Sequence, residues 1–112
     1  MELSIILRSY ELYKSVIMLN ASLSRIDRYR IGISLEESIV KMLEEIITSK
    51  NTSKPFKSSH IQSACTAQEI VLLKLRLYLD LKLANSTQVF QVQSLAQEIG
   101  KMLGGWRKSM GE

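Results

Sequence analysis

Apolar residues recur every three or four positions in four separate stretches of the chain, and this spacing is the feature that most limits its fold. Such an interval places apolar side chains along one side of an α-helix, whereas a half-buried strand alternates at every second residue. The chain has five glycines and one proline, Pro55, which is too few for the many turns of an all-β domain. We therefore expect an all-α fold.

The first helix is predicted from Glu2 to Leu23. Its seam is formed by residues that step by three and four: Leu3, Ile6, Tyr10, Tyr13, Ile17 and Asn20. The position of Asn20 stays open, because an asparagine at the end of such a seam can be a buried polar residue or can face water.

Two serines can start the second helix. Ser24 and Ser34 each precede an acidic residue by three positions, which is the spacing of a capping box. We prefer Ser24, because Gly32 is the only helix-breaking residue between the two, and one glycine costs only about 1 kcal/mol in a helix. The helix is expected to fade near Lys50. Its apolar stripe comprises Leu35, Ile39, Met42, Leu43, Ile46 and Ile47.

Residues Asn51 to Ser59 are predicted to form a loop, because Pro55 and the surrounding Ser, Thr and Asn oppose helix propagation. A third helix follows from Ser59 to Leu83. Its end also alternates like a strand, but no second strand exists to pair with it. The helix is apolar on more than one side, which suggests a subunit contact. The residues that we assign to this contact are Leu77, Leu79 and Leu81.

Ser86 is predicted as the N-cap of a fourth helix. The seam of this helix comprises Val92, Leu95, Ile99, Met102 and Trp106. Gly104 and Gly105 either end the helix or continue it as a close-contact surface, and Trp106 is expected to fill the end of the bundle. Because short connections make neighbouring helices antiparallel, the sequence predicts an up-down-up-down four-helix bundle. Residues 1–112 form one domain in this interpretation.

Nothing in the sequence indicates catalysis, so we expect neither an enzyme nor a metal or other cofactor. His60 and Cys65 are the only histidine and cysteine, and five residues separate them, so they share no helix face. Adjacent glutamates diverge on a helix, and no phosphate-binding glycine loop is present. No apolar run reaches the roughly 20 residues of a membrane span, and a signal peptide is not evident, so we expect a cytoplasmic protein without a membrane partner.

The net charge of +4 and the sequence pI of about 9.3 fit either a solvated cationic surface or a polyanionic partner such as nucleic acid. An up-down bundle gathers basic residues at both ends. One end collects Lys50, Lys54, Lys57, Lys101, Arg107 and Lys108, opposed mainly by Glu2 and Glu112. The other end carries Arg25, Arg28 and Arg30 against Asp27. Such clusters can neutralise phosphates without reading sequence.

Glu98 to Ser109, with the sequence EIGKMLGGWRKS, resembles the closing motif of the accessory variability determinant proteins of diversity-generating retroelements. Three further pieces are similar in the same order: Arg28 to Gly32, Leu43 to Ile47 and Leu75 to Leu79. These proteins belong to a wider four-helix-bundle family that includes proteins encoded within bacterial ribosomal RNA genes by intervening sequences. The resemblance spans nearly the whole chain.

The resemblance implies a bacterial or phage protein that assembles into a homo-oligomeric ring, a pentamer in the retroelement branch. It implies binding to a reverse transcriptase and to RNA or DNA, as a non-catalytic partner in the mutagenic copying of a template RNA. The contact residues would be the basic residues of both ends, and Gly104, Gly105 and Trp106 would serve packing. Two alternatives remain: a bundle of the ribosomal intervening-sequence type with an undefined role, and a purely structural oligomerisation module.

Overall fold

Four long helices follow one another through residues 2–111, the part of the chain that the computed structural model describes. Met1 and Glu112, which the sequence analysis counted within the domain, lie outside the described residues. The helices are α1 (Glu2–Asn20), α2 (residues 25–50), α3 (Lys54–Asp80) and α4 (Ser86–Ser109). The described residues contain no strand, so the predicted all-α fold is confirmed.

Each helix packs against the two helices beside it, in the cyclic order α1, α2, α3, α4. The prediction of an up-down-up-down bundle is confirmed, and α1 and α3 lie diagonally across the core. The bundle measures 44 × 22 × 20 Å. Its core is continuous from Trp106 at one end to Tyr78 near the other, and both side chains are buried.

The predicted seam of α1 is wrong in part: Ile6 and Tyr13 pack against the core and Asn20 is buried, but the other three residues face solvent. Leu3 and Tyr10, which we placed in the core, are 63% and 59% exposed, and Ile17 also faces solvent. The buried side is a stripe that one serine interrupts: Ile5, Ser9, Leu12, Val16 and Leu19. The Ser9 hydroxyl is buried, and it finds no hydrogen-bond partner in the described part of the chain. A second apolar stripe therefore remains on the outer side of α1.

The α2 helix begins at the earlier of the two predicted caps. The Ser24 hydroxyl accepts a hydrogen bond from the backbone N–H of Asp27 at 3.1 Å. This bond satisfies one of the donors that the first turn leaves free. The helix continues past Gly32, but residues Arg28–Gly32 form a π-helical turn. Because π-helical turns are rare and often lie at functional sites, the residues around this turn are candidates for such a site.

The α3 helix starts at Lys54 rather than at Ser59, which corrects the loop that we assigned to residues 51–59. Ser53 is the N-cap residue, and Pro55 lies in the first turn. A proline is tolerated there, because the N–H that it lacks would have no acceptor within the helix. The proline therefore marks a helix start, not a loop interior.

The α3 helix is unbroken to Asp80, so the alternating pattern at its end belongs to a helix and not to a strand. Lys82 adopts a left-handed conformation with φ of 54°. The backbone N–H of Leu83 donates to the Tyr78 carbonyl at 3.0 Å, and that of Lys82 donates to the Leu79 carbonyl at 3.2 Å. These two bonds form a Schellman motif, which satisfies the last carbonyls of α3.

The α4 helix is capped by Asn85, not by Ser86 as we predicted. The Asn85 side chain accepts a hydrogen bond from the backbone N–H of Gln88 at 3.1 Å. Gly104 and Gly105 lie inside the helix, which continues to Ser109, so the pair does not end it. The alternative of a continuing helix is therefore the one that the structure adopts.

Glu45 links α2 to α3. Its carboxylate lies 2.9 Å from His60 Nδ1 on α3 and accepts a bond of 2.9 Å from Lys41 on its own helix. These hydrogen bonds lower the pKa of Glu45 below its ordinary value of 4.5, and the bond from His60 has the largest effect. His60 is thus half-buried against a carboxylate.

We expect Glu45→Gln to lower the free energy of unfolding by about 1 kcal/mol at neutral pH. Because the pKa is depressed in the folded state, the contribution of Glu45 is present above about 4.5, the unfolded value, and is lost as pH falls through the folded pKa. Urea unfolding of both proteins at pH 7 and near pH 3 measures the difference. The difference in free energy of unfolding between the wild type and Glu45→Gln should be smaller at the lower pH. Glu44→Gln, at an exposed neighbouring residue, should change the free energy of unfolding little at either pH. A difference of equal size at both pH values would contradict this assignment.

Candidate nucleic-acid interface

The basic residues of the helix ends gather at the two ends of the bundle. At the lysine end, α2 and α4 stop and α1 and α3 start; its basic residues are Lys50, Lys54, Lys57, Arg107 and Lys108. At the arginine end, α1 and α3 stop and α2 and α4 start; its basic residues are Arg25, Arg28, Arg30, Arg76 and Lys82. Lys101, which we grouped with the lysine end, lies about two turns away from it along α4.

Most of the charge at the lysine end is uncompensated. Lys57 Nζ pairs with the Glu2 carboxylate at 3.2 Å, and both side chains are partly buried. Lys50, Lys54 and Lys108 are exposed, and none of them enters an ion pair within residues 2–111. Glu112, which we counted against this end, lies outside the described residues.

At the arginine end, three arginines surround the start of α2. Arg30 pairs with Asp27 at 3.0 Å, and Arg28 donates to the Ala21 carbonyl at 3.1 Å. Arg25 is exposed and forms no ion pair with any described residue. On α3, Arg76 pairs with Asp80 at 3.3 Å. Two acidic side chains therefore oppose five basic ones at this end.

The middle of the bundle has the opposite balance, since seven acidic residues outnumber five basic ones. The acidic residues are Glu11, Glu36, Glu37, Glu44, Glu45, Glu69 and Glu98, and the basic residues are Arg8, Lys14, Lys41, Lys74 and Lys101. Several of them form ion pairs, such as Arg8 with Glu98. The positive charge of the protein is thus concentrated at both ends of a 44 Å long body. A polyanion would be attracted to the ends and not to the middle.

A buried polar network holds the π-helical turn in place. Asn20, whose burial the sequence left open, is buried, and its Nδ2 donates to the Gly32 carbonyl at 3.0 Å and to Glu36 Oε2 at 2.8 Å. The Tyr78 hydroxyl donates to Asn20 Oδ1. Burial, with the carboxylate of Glu36 nearby, raises the pKa of Tyr78 well above its usual range. The phenol therefore stays a neutral donor, and α1, α2 and α3 are joined at the arginine end.

Two apolar residues of the arginine end were missed by the sequence analysis. Ile26 is 69% exposed and Tyr29 is 80% exposed, and both lie among the arginines at the start of α2. The sequence Arg-Ile-Asp-Arg-Tyr-Arg of residues 25–30 does place these apolar residues between the arginines. We used only the arginines, because the helix register that exposes Ile26 and Tyr29 was not yet fixed.

The residues that we assigned to packing occupy different environments. Trp106 is buried at the lysine end, and Leu79 packs against the core of its own bundle. Leu77 is partly buried, whereas Leu81 is exposed. Gly104 and Gly105 are both exposed, and a Cβ atom built on either would meet nothing within 4 Å.

The described residues bring together no cluster of three or more His, Cys, Asp or Glu side chains that could hold a metal ion. Across residues 2–111, no helix is both long enough and apolar enough to cross a membrane. Compared with known proteins, the chain matches no family model and no curated protein.

Proposed function

We propose that this protein is a non-catalytic accessory factor of a diversity-generating retroelement, which acts in the cytoplasm. It would bind the reverse transcriptase and the template RNA or its DNA copy through basic surfaces, and so support mutagenic cDNA synthesis. The observation that carries this proposal is the separation of charge, with two cationic ends and an acidic middle. The closing motif around Trp106 supplies the link to the retroelement proteins.

The charge pattern supports nucleic-acid binding. Exposed lysines and arginines that contact phosphates release the counterions bound there, and this release raises the affinity of the protein for nucleic acid. Contacts of this kind position a protein on the backbone without reading bases, which suits a factor whose cDNA product varies in sequence. Two cationic ends also let one subunit contact the template at one end and a second partner, such as the polymerase, at the other.

Exposed apolar stripes on opposite sides of the bundle support a homo-oligomer, for which the resemblance implies a pentamer. On α1 the outer stripe comprises Leu3, Leu7, Tyr10 and Ile17, and on α3 it comprises Ile70, Leu73 and Leu81. Because α1 and α3 are diagonal, the two stripes face different neighbours. Subunits that join through two different faces, head to tail, form a closed ring when the rotations between successive subunits add up to a full turn.

Co-expression with a reverse transcriptase from a diversity-generating retroelement tests the function. We expect the polymerase to co-purify with this protein and the native mass of the protein alone to be a multiple of 12.8 kDa. Capture of RNA without the polymerase would contradict the accessory role and favour the ribosomal intervening-sequence type of bundle. A monomer that captures neither would contradict the whole proposal.

The glycine pair of α4 provides a separate test of assembly. We expect Gly104→Ala/Gly105→Ala to raise the stability of the subunit by about 1 kcal/mol per substitution, because both glycines are helical and an added Cβ meets nothing. If the pair lies in a subunit contact, the same variant should lower the native mass. Thermal unfolding and native mass spectrometry measure the two effects, with Gln97→Ala on the same helix as the control. A variant of unchanged native mass would rule out a role for the glycines in assembly.

A further inference from the structure

The start of α2 presents an apolar strip that is exposed and surrounded by guanidinium groups. Ile26, Tyr29 and Ile33 lie three and four residues apart, so they follow one another along the helix surface. All three are exposed, Tyr29 most of all. In the described part of the chain, the Tyr29 ring takes part in no hydrogen bond, ion pair or ring contact. Because Tyr29 is 80% exposed, most of its ring surface is open to a ligand.

Arginines flank Tyr29 in sequence, and their side chains are exposed at the same end of the bundle. Arg25 precedes Tyr29 by one turn, and Arg28 and Arg30 are its immediate neighbours. The guanidinium groups of Arg28 and Arg30 are each held by one contact, to the Ala21 carbonyl and to the Asp27 carboxylate. These contacts leave other N–H groups of each guanidinium free to donate, since the group carries five.

The strip rests on a turn that buried hydrogen bonds hold in place. Tyr29 lies in the π-helical turn Arg28–Gly32, whose last carbonyl is fixed by the buried Asn20 side chain. Asn20 is held in turn by Tyr78 of α3. A side chain on a fixed turn loses less conformational entropy on binding than one on a mobile loop.

We propose that this strip binds unpaired nucleotides, with a base stacked on the Tyr29 ring and the flanking phosphates contacted by Arg25, Arg28 and Arg30. This inference rests on the proposed binding of nucleic acid and assigns it to the arginine end. Stacking requires a base whose face is free, which single strands offer and paired duplexes do not. A polymerase surface is less favoured as the occupant, because the net positive charge of this end matches a polyanion.

Anisotropy of labelled RNA tests the assignment, with single strands of about 12 nucleotides, close to the site sizes of known single-strand binders, and duplexes of equal length. We expect Tyr29→Leu to weaken single-strand binding about 5- to 150-fold, which is the effect of removing one stacking side chain in other single-strand binders. Duplex binding should change less than about twofold, and Tyr29→Phe, which keeps the ring, should bind single strands like the wild type. The slope of affinity against salt should be unchanged, because the substitution removes no charge.

The matched control is Phe56→Leu at the lysine end, where the ring is 66% exposed beside Lys54 and Lys57. This variant should keep wild-type affinity for single strands. The assignment is overturned if Phe56→Leu causes the larger loss, or if the wild type binds RNA and Tyr29→Leu binds it equally well. It is also overturned if Tyr29→Leu keeps RNA affinity and loses a co-expressed polymerase. If the wild type binds no RNA at all, the proposed function fails together with the inference.

Discussion

Replacing Asn20 with alanine is expected to lower the free energy of unfolding by about 2–4 kcal/mol. The side chain satisfies three groups at once: the Gly32 carbonyl, the Glu36 carboxylate and the Tyr78 hydroxyl. An alanine leaves the Tyr78 hydroxyl without its partner in a buried setting, where an unmet group costs about 1–3 kcal/mol. It also removes a side-chain donor from the Gly32 carbonyl and the Glu36 carboxylate. Only relaxation of the network or entry of water would reduce the loss.

Urea unfolding of four proteins measures this effect: the wild type, Asn20→Ala, Tyr78→Phe and the double variant. Tyr78→Phe should cost less than Asn20→Ala, because it leaves only Asn20 Oδ1 unpaired. The two substitutions should not be additive, since they remove the same hydrogen bond. Additive losses, with Asn20→Ala costing under about 1 kcal/mol, would show that the network does not stabilise the fold.

Neutralising the arginine end is expected to cause the largest loss of RNA affinity. The triple variant Arg25→Gln/Arg28→Gln/Arg30→Gln should bind single-stranded RNA about 10- to 100-fold more weakly at about 0.1 M salt. Each lost phosphate contact removes about 0.7 from the slope of log affinity against log salt for a single strand, so the slope should fall by about 2. The fold should survive, because all three residues are exposed.

A variant that removes the same charge at the lysine end separates a local contact from a general charge effect. Lys50→Gln/Lys54→Gln/Lys108→Gln also removes three positive charges, and these lysines form no ion pair within residues 2–111. We expect it to lower affinity much less than the arginine variant does. Equal losses in the two variants would show that RNA responds only to net charge and that the arginine end is not a defined site.

The fold could be predicted from the sequence where local chemistry acts alone. Ser24 precedes Asp27 by three residues and caps α2 as expected, because the serine hydroxyl needs only the backbone N–H of the first turn. Pro55 misled the prediction for a related reason. It opposes a helix interior but suits a first turn, and the composition of residues 51–59 did not distinguish the two.

Which side of a helix is buried depends on its neighbours, and here the sequence was insufficient. The α1 helix has two apolar stripes, and the one that is buried contains Ser9. The stripe that we chose is also largely apolar, but its residues Leu3, Tyr10 and Ile17 face outward. A subunit that buries its outer stripes against sister subunits needs apolar residues on both sides of α1. The sequence of one chain therefore could not tell a stripe that faces the core from one that would face another subunit.

The basic residues of the candidate site and their grouping were evident from the sequence, whereas the addition of Tyr29 to them required the structure. Arg25, Arg28 and Arg30 could be assigned to one end of the bundle from helix order alone. Tyr29 could not be added to them, because the π-helical turn shifts the register of the helix at that residue. The burial of Asn20 beneath the turn likewise depends on contacts with α3 that are distant in sequence.

Titration of RNA binding against salt tests most directly whether the cationic ends bind nucleic acid. We expect the affinity of the intact protein for labelled single-stranded RNA to fall at least about 10-fold between about 0.05 and 0.2 M salt, as displacement of counterions requires. Affinity that stays flat across this range, or binding too weak to detect at its lower limit, would contradict the account.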